Sequence, residues 1–213
     1  MPDSPAKPEE PKRIDFLVTP DVPVYRPFLG IDIARVATYW SDVEYHWAVA
    51  YIYLLAEPRD KDAFSAYFSM RDWRKRKQLF FNQAQARSLP GLLKQEAQNL
   101  YAEFEERARA RNTVVHGTWA YSPQREDVIY LAQPRELGVQ VNRVFTGIEN
   151  IAKGRRGEVS VDLGRGAYDE WDHARFEAVI AEMVAYKNRV MEYGNRVSAH
   201  SLAVLTRRLR PGT

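Results

Sequence analysis

Apolar residues recur at alternating spacings of four and three along Val36, Trp40, Val43, Trp47, Ala50 and Leu54. This is the period of a helix with one buried face, and it predicts a first strong helix over about 32–56, ended by Pro58. A second helical region is expected over about 60–81, with Phe64, Tyr67, Phe68, Trp73, Leu79 and Phe80 as packing candidates. Ser88-Leu89-Pro90-Gly91 is a turn signal that breaks the chain again. A third helix, over about 92–115, traces its core stripe through Leu93, Ala97, Leu100, Phe104, Ala108 and Val115. Arg111 falls on that same stripe, seven residues after Phe104 and so only about 20° away around the helix. An arginine on a buried face is costly unless it is paired or faces a polar cleft.

After Gly117 the period shortens to alternation. The stretches 118–122 and 127–132 predict two strands around a 123–126 turn, and 139–144 and 159–163 are further strand candidates separated by the basic turn 153–157. Residues 150–153 equally suit the end of a short helix. A last long helix is expected from about 169 to beyond Val197, with Phe176, Val179, Ile180, Met183, Val184, Tyr186, Val190 and Tyr193 on its apolar side and a kink at Gly194. Asp169, Glu170 and Asp172 suit its first turn, where the helix dipole favours negative charge. Together these elements predict a mainly α fold, a four- to five-helix bundle with a small antiparallel β insertion at about 118–164 before the last long helix.

Ahead of the first helix, Pro2, Pro5, Pro8 and Pro11 fall at every third position among charges. Residues 1–30 read as a proline-rich, disordered or extended tail, with Pro20, Pro23 and Pro27 keeping the chain irregular up to Gly30. The remainder, 31–210, reads as one domain, for which 213 residues leave ample room. With no cysteine, disulfide frameworks and thiolate zinc sites are excluded. The net charge of +3 permits an anionic partner without demanding one. No apolar run resembles a secretory signal or approaches the roughly 20 residues of a membrane span, so the expectation is a cytoplasmic protein with no membrane association.

The chain carries no GxGxxG, Walker, HExxH or GxSxG signature, and its carboxylates are scattered, so no metal and no cofactor are expected. The most basic run is 71–77. Arg74, Lys75 and Arg76 beside Trp73 offer a phosphate-binding face with a stacking ring, or simply a solvated helix face. His46 lies among Tyr45 and Trp47 as a structural histidine, while His173 and His200 read as surface or capping residues. What remains is the sequence RNTVVH at 111–116, at the end of the third helix.

That sequence resembles the RxxxxH motif of the HEPN superfamily. A long amphipathic helix precedes Arg111, Gly117 and Trp119 follow His116, and an aromatic-rich helix opens the domain. The resemblance spans about 32–119 plus the last long helix. It implies a metal-independent endoribonuclease acting as a homodimer on RNA, with motifs from two subunits facing one cleft. Toxin and antiviral-defence roles are common in such domains, with an antitoxin or regulatory protein as partner. Others are catalytically inactive nucleotide-binding or protein-interaction modules, which is the alternative reading. Arg111, Asn112 and His116 would be the catalytic residues, with Arg107, Arg74, Lys75 and Arg76 as nucleic-acid contacts. A related subset carries a tyrosine two residues after the histidine, a target for nucleotidyl transfer. Thr118 stands there instead, which argues against that scheme.

The residue types suit the chemistry independently. Histidine can shuttle a proton at neutral pH, and arginine offers a planar fork for phosphate oxygens. Asn112 can position His116 or hydrogen-bond the phosphate. Five residues on a helix turn by about 140°, so Arg111 and His116 do not share a face. A frayed last turn, an arginine that reaches round, or a second subunit can bring them together, and the second subunit is the preferred answer. The plain alternative is that Arg111 pairs with Glu105 or with a neighbouring helix and His116 only caps the last carbonyls.

Overall fold

The computed structural model describes residues 17–18, 21–55, 61–132, 134–154 and 168–209. In chain order the elements are β1 (Leu17–Val18), α1 (Val22–Tyr25), α2 (Pro27–Leu54), α3 (Lys61–Ser69), α4 (Trp73–Ala86), α5 (Gly91–His116), β2 (Thr118–Ser122), β3 (Arg125–Ala132), α6 (Pro134–Ala152), β4 (Tyr168–Trp171) and α7 (His173–Leu209). The protein is mainly helical, with a small antiparallel sheet before the last long helix. Among the described residues, no helix is long and apolar enough to cross a membrane. The chain divides into two compact units, Met1–Ile31 with Gly117–His173, and Asp32–His116 with Ala174–Thr213.

The helical unit is built on the stripes expected from the sequence. Val36, Trp40, Val43, Trp47, Ala50 and Leu54 are all buried, as are Leu93, Ala97, Leu100, Phe104 and Ala108 of α5. Trp47 meets Phe80 and Phe104 edge-on, with ring centroids 4.3 and 5.3 Å away. Its indole N–H donates to the Tyr186 hydroxyl at 3.1 Å, and that hydroxyl donates to the Leu100 carbonyl at 2.7 Å, so three helices share one buried polar chain. Ion pairs Glu96–Arg196, Glu103–Arg189 and Arg107–Glu182 run in opposite sequence order along α5 and α7, which are therefore antiparallel. α7 runs as helix through Gly194. The missing side chain serves packing: a Cβ there would stand 3.3 Å from the Ala50 Cβ.

The helical region expected over about 60–81 consists of two helices, α3 and α4. Asp72 caps α4, its carboxylate accepting from the Arg74 backbone N–H at 2.9 Å, and a side-chain cap of that kind starts a helix afresh. Phe68 is exposed, while Tyr67 and Phe80 are buried.

The other unit holds a sheet of order β1-β2-β3-β4, antiparallel throughout. Trp119 faces Leu131 and Ile129 faces Trp171, with a register shift between Ala120 and Ser122. Ala120, Val128, Tyr130, Ala132 and Tyr168 form its core cluster. Arg26 donates to the Ser122 carbonyl at 2.8 Å and the Arg125 carbonyl at 3.3 Å, pinning the β2–β3 turn, and Tyr25 stacks on Tyr121.

Three expectations fail in this region. The stretch 21–30 is not irregular. Pro23 and Pro27 sit in the first turns of α1 and α2, where a missing N–H costs nothing. The strand expected over 139–144 is part of α6, because Val141 and Val144 belong to a longer pattern (Leu137, Val141, Val144, Ile148, Ile151) with helical spacing. Gly154, at φ +69°, ends it in the left-handed conformation that glycine tolerates. The last helix begins at His173, and Asp169 and Glu170 lie in β4. Residues 1–16 of the proline-rich tail and the strand expected over 159–163 lie outside the described residues.

Candidate functional site

α5 stays helical to its last residue, His116. Its buried side ends in Val114, not the expected Val115, and Arg111 is half-buried between that side and solvent. Asn112 and His116 are exposed.

Arg111 Nη1 lies 2.9 Å from Asn112 Oδ1 and 3.1 Å from His116 Nε2. A guanidinium only donates, so the second contact requires an unprotonated Nε2, with the ring proton of neutral His116 on Nδ1. The two protons of Nη1 can thus be assigned, one to the amide oxygen and one to the imidazole. The Arg111 Nε is buried without a hydrogen-bond partner among the described residues.

This geometry corrects the route by which the motif assembles. The last turn does not fray, and no second subunit is needed to bring the pair together. The arginine side chain is long enough to span the angle, and His116, with no helical turn after it, leaves the ring edge open to it. Asn112 touches Arg111, so it orients the guanidinium and reaches the histidine only through it.

The other basic candidates divide. Arg107 is half-buried between Glu103, at 3.2 Å, and Glu182. Burial works against its charge, but the Glu103 hydrogen bond and the surrounding carboxylates outweigh it and raise its pKa. Arg107 is therefore occupied by carboxylates. Arg74 and Lys75 are exposed, with the Arg74 guanidinium 5.4 Å from the Trp73 ring centre. Arg76 turns inward and donates to the Met70 carbonyl at 2.6 Å. Lys77, from the same run, is buried, pairs with Glu105 at 2.9 Å and sits 4.0 Å from the Tyr101 ring centre. Consecutive residues on a helix point about 100° apart, so Arg74 and Lys75 face solvent while Lys77 points into the helical unit.

His46 is half-buried, with Nε2 3.6 Å from Asp42, the structural role expected of it. Glu105 is taken by Lys77, which removes it as the expected alternative partner of Arg111. Sequence reasoning missed the cluster in which Arg35 meets Asp32 at 3.0 Å and also Glu177. The hydrogen bonds that Arg35 donates to Glu177 and then to Asp32 raise its pKa. The i,i+3 spacing of Asp32 and Arg35 was the available signal. Since α7 runs antiparallel to α5, this cluster lies at the same end of the helical unit as His116.

Comparison with protein-family models, with curated proteins and with solved structures yields no match. The reading of the site rests on its geometry and on the RNTVVH motif.

Proposed function

We propose that the protein is a metal-independent endoribonuclease of the HEPN type, with Arg111, Asn112 and His116 as its site. The observation that carries this reading is the 3.1 Å contact between Arg111 Nη1 and His116 Nε2. It requires Nε2 to be the unprotonated ring nitrogen and sets a phosphate-binding cation beside it.

In the proposed reaction, Arg111 Nη1 first turns from His116 Nε2 to the phosphate oxygens, which frees the single lone pair of Nε2. The RNA 2′-hydroxyl then attacks its adjacent phosphorus and Nε2 takes the hydroxyl proton. Nη1 stays on the equatorial oxygens of the phosphorane as charge develops there. The P–O5′ bond breaks, and the departing oxygen takes a proton from water. The products are a 2′,3′-cyclic phosphate and a 5′-hydroxyl end. Proton removal and charge stabilisation are thereby coupled through one hydrogen bond. Arg74 and Lys75 are the exposed members of the basic set and suit backbone contacts. A homodimer, with an antitoxin or regulatory partner, follows from the resemblance alone.

A second reading, an inactive nucleotide-binding or protein-interaction module, is favoured by one observation. Both Nη1 protons of Arg111 are already engaged within the motif. RNA incubated with the purified protein in EDTA separates the two. Cleavage by the wild type that disappears in His116→Ala supports the ribonuclease. Equal behaviour of the two proteins refutes it.

A further inference from the structure

Six apolar positions of α6, Leu137, Val141, Val144, Phe145, Ile148 and Ile151, fall within an arc of about 120° around the helix. The opposite side carries Arg135, Asn142, Arg143, Thr146 and Glu149, with Val139 as its one large apolar residue. Such a stripe ordinarily lies against a core. In the second half of α6 it lies open instead: Phe145 is 66%, Ile148 51% and Ile151 52% exposed. On the polar side Lys153 pairs with Glu149, and both are exposed.

Charge narrows what can cover this face. From Arg143 to Arg156 the sequence holds Arg143, Lys153, Arg155 and Arg156 against one carboxylate, Glu149, a local net charge of +3. Isoleucine side chains cannot stack on a nucleobase, so the stripe is no platform for RNA. A second copy meeting it through the same face would bring the same excess of positive charge and be repelled. An anionic lipid surface supplies apolar depth for the exposed side chains and negative charge for the basic ones together. No described helix is long and apolar enough to cross a membrane, but a helix that lies along one needs only a single apolar side.

We infer that α6 docks on anionic lipid surfaces, with Phe145, Ile148 and Ile151 entering the acyl boundary and the basic residues around Lys153 on the headgroups. Burying the three side chains takes apolar surface out of water, and the basic residues add an attraction that salt screens. Arg111, Asn112 and His116 take no part in it, so the docking stands apart from the proposed RNA chemistry.

Flotation of the full chain with vesicles tests this, using phosphatidylcholine alone and phosphatidylcholine with about one-third phosphatidylserine. Binding to the anionic vesicles is expected, about tenfold or more tighter than to phosphatidylcholine alone and weakened by salt. Ile148→Asp should weaken it about tenfold or more, and Lys153→Gln about fivefold. Both positions are exposed, and circular dichroism confirms that the variants fold. The chain has no cysteine, so Ile148→Cys takes a single polarity-sensitive dye. Its emission should report water in the free protein and shift to the blue on anionic vesicles. A dye already blue-shifted in the free protein would mean that a second copy, or residues 155–167 outside the described ones, covers the face, and would overturn the proposal. No binding to anionic vesicles, equal binding to both kinds, or unchanged binding by folded Ile148→Asp would overturn it too.

Discussion

Arg111 Nη1 stands 3.1 Å from His116 Nε2, although the two residues lie on different faces of one unbroken helix. The same Nη1 is held by Asn112 Oδ1 at 2.9 Å. One amide therefore aims a guanidinium at an imidazole, and the three motif residues act as one unit inside a single chain.

The tautomer of His116 is the first consequence. Nitrogen-15 NMR of the protein at alkaline pH, where the ring is neutral, is expected to show His116 protonated at Nδ1. Arg111→Ala should lose that preference, because nothing then donates to Nε2. An Nε2–H tautomer in the wild type would mean that the contact is not a hydrogen bond.

The coupling within the motif predicts a graded set of rates. His116→Ala should lower single-turnover RNA cleavage by about 10²–10⁴, the usual contribution of a general base. Asn112→Ala should cost less, about tenfold, because it loosens the arginine without removing it. Arg111→Lys should behave like Arg111→Ala, since an ammonium lacks the planar fork. Full activity in Arg111→Lys would show that only charge is needed there.

Much of the helical unit was legible because its signal is long. Six apolar positions from Val36 to Leu54 keep one phase, and all six are buried. Short elements were not. Val139 and Val141 alternate locally, and only a longer window, through Val144, Ile148 and Ile151, shows the helical period of α6. Tyr168–Trp171 offers four residues, two of them acidic, beside a helix start, so β4 was read as that start. The motif was legible as residue types, but its assembly was not. A helical-wheel angle says where a Cβ points and nothing of how far an arginine reaches.

Two buried tyrosines offer a stability test. The Tyr186 hydroxyl donates to Leu100 and accepts from Trp47, whereas the Tyr193 hydroxyl is buried with no hydrogen-bond partner among the described residues. Tyr186→Phe is expected to destabilise by about 1–3 kcal/mol, because it strands the indole N–H, whereas Tyr193→Phe should be neutral or stabilising. Urea denaturation measures both.

The same residues govern alkaline behaviour. Burial pushes the Tyr186, Tyr193 and Tyr67 hydroxyls above the ordinary tyrosine pKa. With folded values above the unfolded value of about 10, the contribution is fully present below pH ~10. It is lost as pH rises through the folded values. The urea midpoint should therefore fall above pH ~10, and Tyr193→Phe should make that fall shallower. An identical pH profile for the variant would contradict this account.

Packing at Gly194 can be probed directly. A leucine there must displace Ala50, which would already lie 3.3 Å from a bare Cβ, and overpacking of this kind typically costs about 1–3 kcal/mol. Thermal denaturation should show a lowered Tm for Gly194→Leu despite its higher helix propensity.

The most direct test of the central claim is the chemistry of the cut ends. RNA treated with the wild-type protein in EDTA is predicted to carry 2′,3′-cyclic phosphate and 5′-hydroxyl ends by mass spectrometry, with none from His116→Ala and no cleavage of all-2′-deoxy substrate. A 5′-phosphate product, or cyclic ends produced equally by His116→Ala, would contradict it.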